Sequence, residues 1–396
     1  MFQKLFQRQK KKALYKILEN LQFGKLHLTM PDNSTHDFFG SSKGPVTDLH
    51  IHNEAAIGRI LKDGKIGFCE AFMDGDVTSQ SLANFIELAA RHDEYFERKL
   101  KTNFFRKLGL KLFHTLHHNS LRGSARNIAH HYDLGNNFYE AWLDPTMTYS
   151  SAVFDKDDDD LTTAQLNKYR HLARLADIQP NDTVLEIGCG WGGFAKYVSS
   201  EIGAHITGIT ISKEQLSYAN KVISEAGLSQ RARFELKDYR DLEGRFDKVV
   251  SIEMFEAVGE SYWPVYFQTL SKVLKNGGRA VLQSITIDDN LFSSYRSQPD
   301  FIQRYIFPGG MLPSLPNLKK PVTEAGLKLV TETGYASHYA RTLGHWRNRF
   351  NDAWPQLATK NFDQKFKRKW ELYLAYCEGG FRAGLIDLKQ LLFMHK

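Results

Sequence analysis

The stretch VLEIGCGWGGF, Val184 to Phe194, sets Gly188, Gly190 and Gly193 at GxGxxG spacing between an apolar run and a helix-like one. Glycines there allow a tight turn and let a ligand approach backbone N–H groups at a helix start, which is nucleotide-binding chemistry without a choice of nucleotide. A nicotinamide dinucleotide calls for an acidic residue about 20 residues further on, at the end of the second strand. The sequence there is GITIS, without an acid. A second polar group, TYSSAVF from Thr148 to Phe154, reads either as a turn or as part of a site. His114, His117 and His118 have no carboxylate or cysteine at ligand spacing. Cys69, Cys189 and Cys377 are far apart and lack CxxC spacing, so neither a disulfide framework nor a zinc site is expected, and the compartment reads as reducing.

Elements able to position these residues follow from the pattern. From Asp182 onward, TVLEIG, HITGITIS, ARFELKD, FDKVVSIE and RAVLQSITI alternate with helix-like segments, which predicts a doubly wound α/β domain with a mostly parallel, Rossmann-like sheet. Gly277 and Gly278 in LKNGG are expected just past a helix C-terminus. Upstream, alternation in KLHLTMP and the helix-like SLANFIELAARH suggest a smaller α+β domain. It is preceded by a basic amphipathic start with Leu14, Ile17, Leu18 and Leu21 at helical spacing. A basic, aromatic-rich connector from Arg98 runs to a Gly-Ser break, giving expected domains 1–115 and 116–396.

The chain has 396 residues, 42% of them apolar, and 52 basic against 45 acidic side chains give a formal charge of +7. That balance suits an anionic partner, membrane surface or nucleic acid. No apolar run approaches the roughly 20 residues that span a bilayer, and the start lacks the features of a secretory signal. A cytoplasmic protein, peripheral at the inner face of the membrane, is the expectation.

Glu186 on the first strand, Asp238 after the third and the LKNGG turn before the fifth resemble the S-adenosylmethionine-dependent methyltransferase fold. More specifically, HYDLGNNFY, TYSSA, LEIGCGWGG, GITISKEQ, KDYRDL, MFEAVG, YIFPGGMLPS and FRAG, with CEAFMDGD in the first domain, resemble the cyclopropane-fatty-acid synthase family over nearly the whole chain. The resemblance implies a class I methyltransferase domain with acyl-pocket insertions behind an N-terminal lipid-facing domain. It implies methyl transfer from S-adenosylmethionine to the double bond of an unsaturated acyl chain in a membrane phospholipid, followed by proton loss. Losing the proton from the new methyl closes a cyclopropane; losing it from a chain carbon leaves a methyl-branched alkene.

Carried over by position, Tyr149 and Ser150 would meet the methionine carboxylate and Gly188 and Gly190 the loop side of the cofactor. Thr210 and Gln215 would lie near the ribose or methionine, and Asp238, Tyr239 and Arg240 near the adenine. Thr210 and Gln215 also read as a helix cap and a polar surface residue. The proton-accepting site of the family, a bound bicarbonate, would be held by Ser151, Glu256, Gln283, Ile285 and Tyr339. Two of these depart from the family, which usually has cysteine at Ser151 and histidine at Gln283; both still hydrogen-bond, but neither can be a charged partner. Glu256 also reads as a helix-start carboxylate, Tyr339 as a core-edge tyrosine, and Cys377 as a buried thiol or a neighbour of the acyl pocket. The partners implied are the bilayer surface and its acyl chains rather than nucleic acid, with a homodimer as the family's expectation. The N-terminal helix, Arg98 to Lys111 and KFKRKW from Lys365 to Trp370 are the candidate docking surfaces. A nicotinamide dehydrogenase and a lipid-binding protein without activity stay open as rivals at this stage.

Overall fold

A computed structural model describes residues 2–100, 134–359 and 362–396. His114, His117 and His118, the expected boundary at 115/116, most of Arg98 to Lys111 and the first residues of HYDLGNNFY lie outside the described residues. The chain forms two compact units. One comprises Met1–Phe113, Ser297–Ile302 and Leu343–Leu385, the other His114–Arg296, Gln303–Thr342 and Ile386–Lys396. The N-terminal unit therefore includes two later segments beyond the expected domain 1–115.

In the first unit, β1 (Phe23–Thr29), β2 (Thr35–Phe39), β3 (Ser42–Ile51) and β4 (Val77–Thr78) make a sheet of order β2-β1-β3-β4. β1 runs parallel to β3 and antiparallel to β2. The N-terminal helix Phe2–Leu18 buries Leu14 and Leu18, which ties its apolar stripe to packing. The helix Gln364–Ala383 lies so close to Leu82–Arg91 that a Cβ at Gly379 would come within 2.6 Å of Ile86. Glu378 on that helix is fully buried and pairs with Arg347 at 3.1 Å and with Arg382. Within KFKRKW, Trp370 is core, Lys365 pairs with Asp74 at 2.8 Å, and Arg368 donates to the Met73 carbonyl at 2.8 Å. Part of that basic segment is thus spent inside the unit.

The second unit holds β5 (Thr183–Ile187), β6 (His205–Thr210), β7 (Ala232–Leu236), β8 (Phe246–Ile252), β9 (Leu274–Ile287), β10 (Leu327–Gly334) and β11 (Ile386–His395). Their order is β10-β11-β9-β8-β5-β6-β7; β5 to β9 are parallel, and β11 is antiparallel to both β9 and β10. The expected doubly wound, mostly parallel sheet is present, with two antiparallel C-terminal strands added. Alternate side chains feed opposite layers, as strand geometry requires. Val184, Val250, Val281 and Leu392 pack with the helix Leu161–Ala176 on one side. Leu185, Val249, Leu282 and Leu391 pack with the helix Trp263–Val273 on the other. Each such buried side chain contributes about 1.5–3 kcal/mol, so both layers hold the sheet rigid beneath its loops.

The Gly277-Gly278 pair is not a helix cap. The helix ends with Leu274 in extended conformation, and β9 begins there. Gly277 has φ +75°, and a Cβ at Gly278 would meet the Asp247 carbonyl at 2.7 Å. The β8–β9 register shifts between Phe246 and Lys248, so the glycines form a bulge inside a strand. The order also reverses beside β5, where β6 and β7 lie to one side and β8 to the other. Ligands of open α/β sheets bind at the carboxyl ends of strands flanking such a reversal. Here those ends carry Gly188 and Glu253.

Candidate active site

The loop after β5 is held by the Gly188 and Cys189 N–H groups, which both donate to the Ile209 carbonyl at 3.0 Å. Gly188 has φ +83°, and a Cβ there would lie 2.8 Å from Met254. Gly190, at φ +51°, has no atom within 4 Å of the place a Cβ would take, so this side of the loop is open to a ligand. Behind it, Glu186 is buried on β5, its Oε2 has no hydrogen-bond partner, and burial raises its carboxyl well above the usual range.

The TYSSA turn is held by the helix Leu161–Ala176. Lys168, fully buried on that helix, donates to Ser150 Oγ at 2.7 Å, and Gln165 donates to the Ser150 carbonyl at 2.8 Å. Burial pushes the Lys168 ammonium down to about 8, opposed by the charges of Glu253, Asp144 and Glu186. Tyr149 packs on Tyr139 and Trp142 with ring centroids 5.4 and 5.5 Å apart. A serine hydroxyl backed by a buried ammonium is a site for a carboxylate, and Tyr149 gives it an aromatic wall.

At the end of β6, Thr210 donates to Gln215 Oε1 at 2.8 Å and accepts the Ser212 N–H at 3.1 Å, while Ser212 caps the following helix. Both residues are buried, and Ser212 rather than either of them is the cap. After β7, Asp238 takes two bonds from the Arg240 guanidinium, at 2.8 and 2.7 Å, and one from its N–H at 2.9 Å. That guanidinium lies 5.4 Å from the Tyr239 ring centroid and 5.2 Å from that of Tyr262. Burial pushes the Tyr239 hydroxyl up to about 12. Gly188, Thr210 and Asp238 thus stand at the carboxyl ends of the adjacent strands β5, β6 and β7, and the TYSSA turn is held by Lys168, which feels the charge of Glu186 on β5.

The second half of the site is built on β8 and β9. Glu253 follows β8 with φ +50°, a left-handed conformation that costs a side-chain-bearing residue about 1 kcal/mol. Its Oε1 accepts the Ser151 N–H and the Gln283 side-chain amide, both at 2.8 Å, and its Oε2 accepts the Tyr339 hydroxyl at 2.6 Å. Gln283 is oriented in turn by Gln390, whose amide donates to its Oε1 at 2.9 Å. Ser151 contributes its backbone, since its hydroxyl donates to the Ala152 carbonyl at 3.0 Å. Glu256 stands apart from this set. Its Oε1 accepts the Ile285 N–H and, at 3.0 Å, the Ser284 hydroxyl, while its Oε2 is buried without a partner. Burial first and the Glu253 charge second push the Glu256 carboxyl up to about 8. Burial also raises Glu253, but its three donors and the Lys168 charge oppose that. YIFPGGMLPS is tied to this centre by the Met311 N–H donating to the Glu256 carbonyl at 2.8 Å.

The residues expected around a bicarbonate, Ser151, Glu256, Gln283, Ile285 and Tyr339, find their partners within the chain. Three of those residues donate to a protein carboxylate, Glu253, and Ile285 donates to Glu256. The donor set is spent within the chain and does not fit the ion.

Sequence reasoning missed Glu253 and Lys168. For Lys168 the signal was present: Gln165 and Lys168 lie on the same helical stripe as Leu161, Ala164 and Leu172, so two polar groups point inward. For Glu253 the signal was a second glutamate three residues before Glu256 at the end of an apolar strand.

A reversed-order parallel sheet with a glycine turn after its first strand and acid-bearing loops after its third and fourth defines an S-adenosylmethionine-dependent class I methyltransferase. Comparison with known proteins narrows the class. The profile described as mycolic acid cyclopropane synthetase matches residues 119–391, and the chain belongs to that family. It is 39% identical over 361 residues to "Tuberculostearic acid methyltransferase UfaA1" of Mycobacterium tuberculosis, covering 89% of this chain and 84% of the relative. It is 34% identical over 352 residues to "Cyclopropane-fatty-acyl-phospholipid synthase" of Escherichia coli, covering 87% of each. Among solved structures, mycolic acid cyclopropane synthase CmaA1 complexed with SAH and CTAB superimposes with a TM-score of 0.63 at 29% identity, covering 69% of this chain and 98% of that one. These relatives are named for methylation or cyclopropanation of fatty acids, and the solved neighbour is a complex with SAH.

Proposed function

We propose that the protein transfers a methyl group from S-adenosylmethionine to the double bond of unsaturated acyl chains in membrane phospholipids and then removes a proton, closing a cyclopropane. The observation that carries this reading is the pair of glutamates, Glu253 and Glu256, held at the strand ends beside the glycine loop by Ser151, Gln283, Tyr339, Ser284 and Ile285. Simple methylation of an amine or hydroxyl needs one proton acceptor near solvent. A cation on a hydrocarbon chain needs negative charge in a place that excludes water.

The bound cofactor would supply an electrophilic methyl on sulfur. Ser150, backed by Lys168, and Tyr149 would hold its carboxylate end, Thr210 and Gln215 its middle, and Asp238, Tyr239 and Arg240 its base, with Gly188 and Gly190 giving it room. Drawing the middle of an acyl chain into water costs on the order of 10 kcal/mol at about 0.8 kcal/mol per methylene, so the reaction must occur with the protein docked on the bilayer. Among the described residues no helix is long and apolar enough to cross a membrane. The formal charge of +7 supports docking through basic surface at the inner leaflet.

A second reading, methyl transfer without ring closure, is favoured by the names of the relatives, since UfaA1 and a "Probable fatty acid methyltransferase" of Pseudomonas putida, 40% identical over 276 residues, are called methyltransferases. The test is expression in a bacterium lacking its own synthase, followed by proton NMR of the extracted fatty acids. Ring protons at high field support the cyclopropane; vinylic protons on a methylated chain of the same formula replace it with the second reading. Absence of any methylated chain removes both.

A further inference from the structure

We propose that Glu253 is the built-in general base of the reaction, a protein carboxylate standing where the resemblance implies a bicarbonate ion, so that this enzyme turns over without bicarbonate. The inference rests on the acyl-methylation reading above and adds to it the identity of the proton acceptor.

Three observations carry it independently of that resemblance. The first is the donor set. A bicarbonate ion presents a planar O–C–O group, and so does a glutamate. The Ser151 N–H, the Gln283 amide and the Tyr339 hydroxyl all converge on the Glu253 carboxylate at 2.8, 2.8 and 2.6 Å. An ionised carboxylate has roughly four acceptor sites, so these three bonds fix its orientation and leave capacity for one proton. The second is the backbone. Glu253 sits at φ +50°, where glycine is at ease and glutamate is strained, between β8 and the short helical turn Phe255–Ala257. Nothing in the turn requires a side chain, whereas the strain aims this one at the donors. Strained side chains of this kind persist where they have a task. The third is the neighbouring charge. Glu256 has only the Ser284 and Ile285 donors and an unpartnered Oε2, whereas Glu253 has three donors and Lys168 nearby. When two adjacent carboxyls share one proton it resides on the less well solvated partner, here Glu256, leaving Glu253 ionised.

The alkene π pair forms the bond to the incoming methyl, the former C–S pair stays on sulfur, and the neighbouring chain carbon becomes cationic. Glu253 takes one proton from the new methyl, and that C–H pair forms the C–C bond that closes the ring. The products are the cyclopropane, S-adenosylhomocysteine and a protonated Glu253, which returns its proton to solvent.

The experiment measures transfer of labelled methyl from S-adenosylmethionine into vesicles of unsaturated phospholipid, in buffer purged of carbon dioxide and in the same buffer with added sodium bicarbonate. The wild-type protein is expected to give equal rates in both. Glu253→Gly relaxes the backbone and removes the carboxylate, so its rate in purged buffer is expected to fall on the order of 100-fold or more, the contribution of a general base, with cofactor affinity by calorimetry unchanged. Added bicarbonate or formate is expected to restore part of the rate by filling the vacated donors. A wild-type rate that collapses in purged buffer and returns with bicarbonate overturns the proposal, as does a Glu253→Gly protein as fast as wild type without any anion. If Glu253→Gly fails to fold, the wild-type comparison decides alone. A wild-type protein that labels no lipid in either buffer refutes the acyl-methylation reading itself, an outcome distinct from a bicarbonate requirement.

Discussion

Replacing Tyr339 by phenylalanine removes one hydroxyl and leaves the ring. In the folded protein that hydroxyl donates to Glu253 Oε2 at 2.6 Å, a short bond to an ionised acceptor. Hydrogen bonds to charged groups contribute about 1.5–3 kcal/mol, and 1.36 kcal/mol corresponds to a factor of ten, so kcat is expected to fall roughly ten- to 150-fold. The loss should depend on pH. Tyr339 stabilises the ionised form of Glu253, and without it the carboxyl titrates at higher pH, so the acid limb of the rate profile moves upward. The groups facing Glu253 that could mask this are Glu256 and Lys168, and both remain in the variant. Methyl transfer into unsaturated vesicles, followed from pH 5.5 to 9 for wild type and Tyr339→Phe, gives both quantities. The deficit should be largest at the acid end and shrink toward the alkaline end. A deficit of constant size at every pH, or an unmoved acid limb, refutes the assignment of Tyr339 as the residue that keeps Glu253 ionised and makes it a packing residue only.

Other consequences follow from the same geometry. Lys168→Met leaves Ser150 without its 2.7 Å donor and removes a buried charge, so KM for S-adenosylmethionine should rise about ten- to 100-fold with a smaller change in kcat, measured by steady-state kinetics. Because burial pushes Lys168 down to about 8, the folded protein holds fewer protons than the unfolded one between that pH and the ordinary lysine range. This group therefore adds stability as pH rises from 8 toward 10, and denaturant unfolding of Lys168→Met should lack that increment. Glu378→Ala strands Arg347 and Arg382. Breaking a buried pair costs about 3–5 kcal/mol, and with the arginine side chains 25% and 38% exposed the expected loss is nearer 2 kcal/mol, read as a lowered Tm of the unit that contains them. Ser151→Cys combined with Gln283→His, with Glu253 retained, should leave the protein independent of bicarbonate; acquisition of a requirement would show that those two positions, not Glu253, select the base.

Where burial is two-sided, the fold is legible in the sequence, because a strand covered on both faces is a continuous apolar run. Val184-Leu185 and Val249-Val250 are the apolar centres of such strands, and they mark β5 and β8 in the sequence. β10 escapes for the opposite reason: of its eight residues only Leu327 is buried, so LKLVTETG has no apolar pattern to read. Its partner β11 reaches β9 from more than 100 residues away, a pairing no local signal encodes. Gly277-Gly278 shows the same limit at short range, since a glycine pair after a helix-like segment serves a cap or a bulge equally, and the approach of the Asp247 carbonyl decides.

The site divides along that line. Ser151 and Gln283 stand out in the sequence as two losses of charge at an anion-binding place, which suggests a weakened site. The structure gives them a single compensation. Once the anion is a side chain tethered at residue 253, the site has no need of a thiol or an imidazole that can change its own charge. It needs donors that stay donors at every pH, and a backbone N–H and a carboxamide are such groups. A histidine at 283 could donate to Glu253 and also, when protonated, hold it too firmly as a carboxylate to accept a proton; glutamine supplies the bond without the full charge. Ser151, Glu253 and Gln283 thus form one hydrogen-bonded unit, with the carboxylate at its centre. Its central member was hidden because a side-chain direction set by φ +50° is a property of the folded turn.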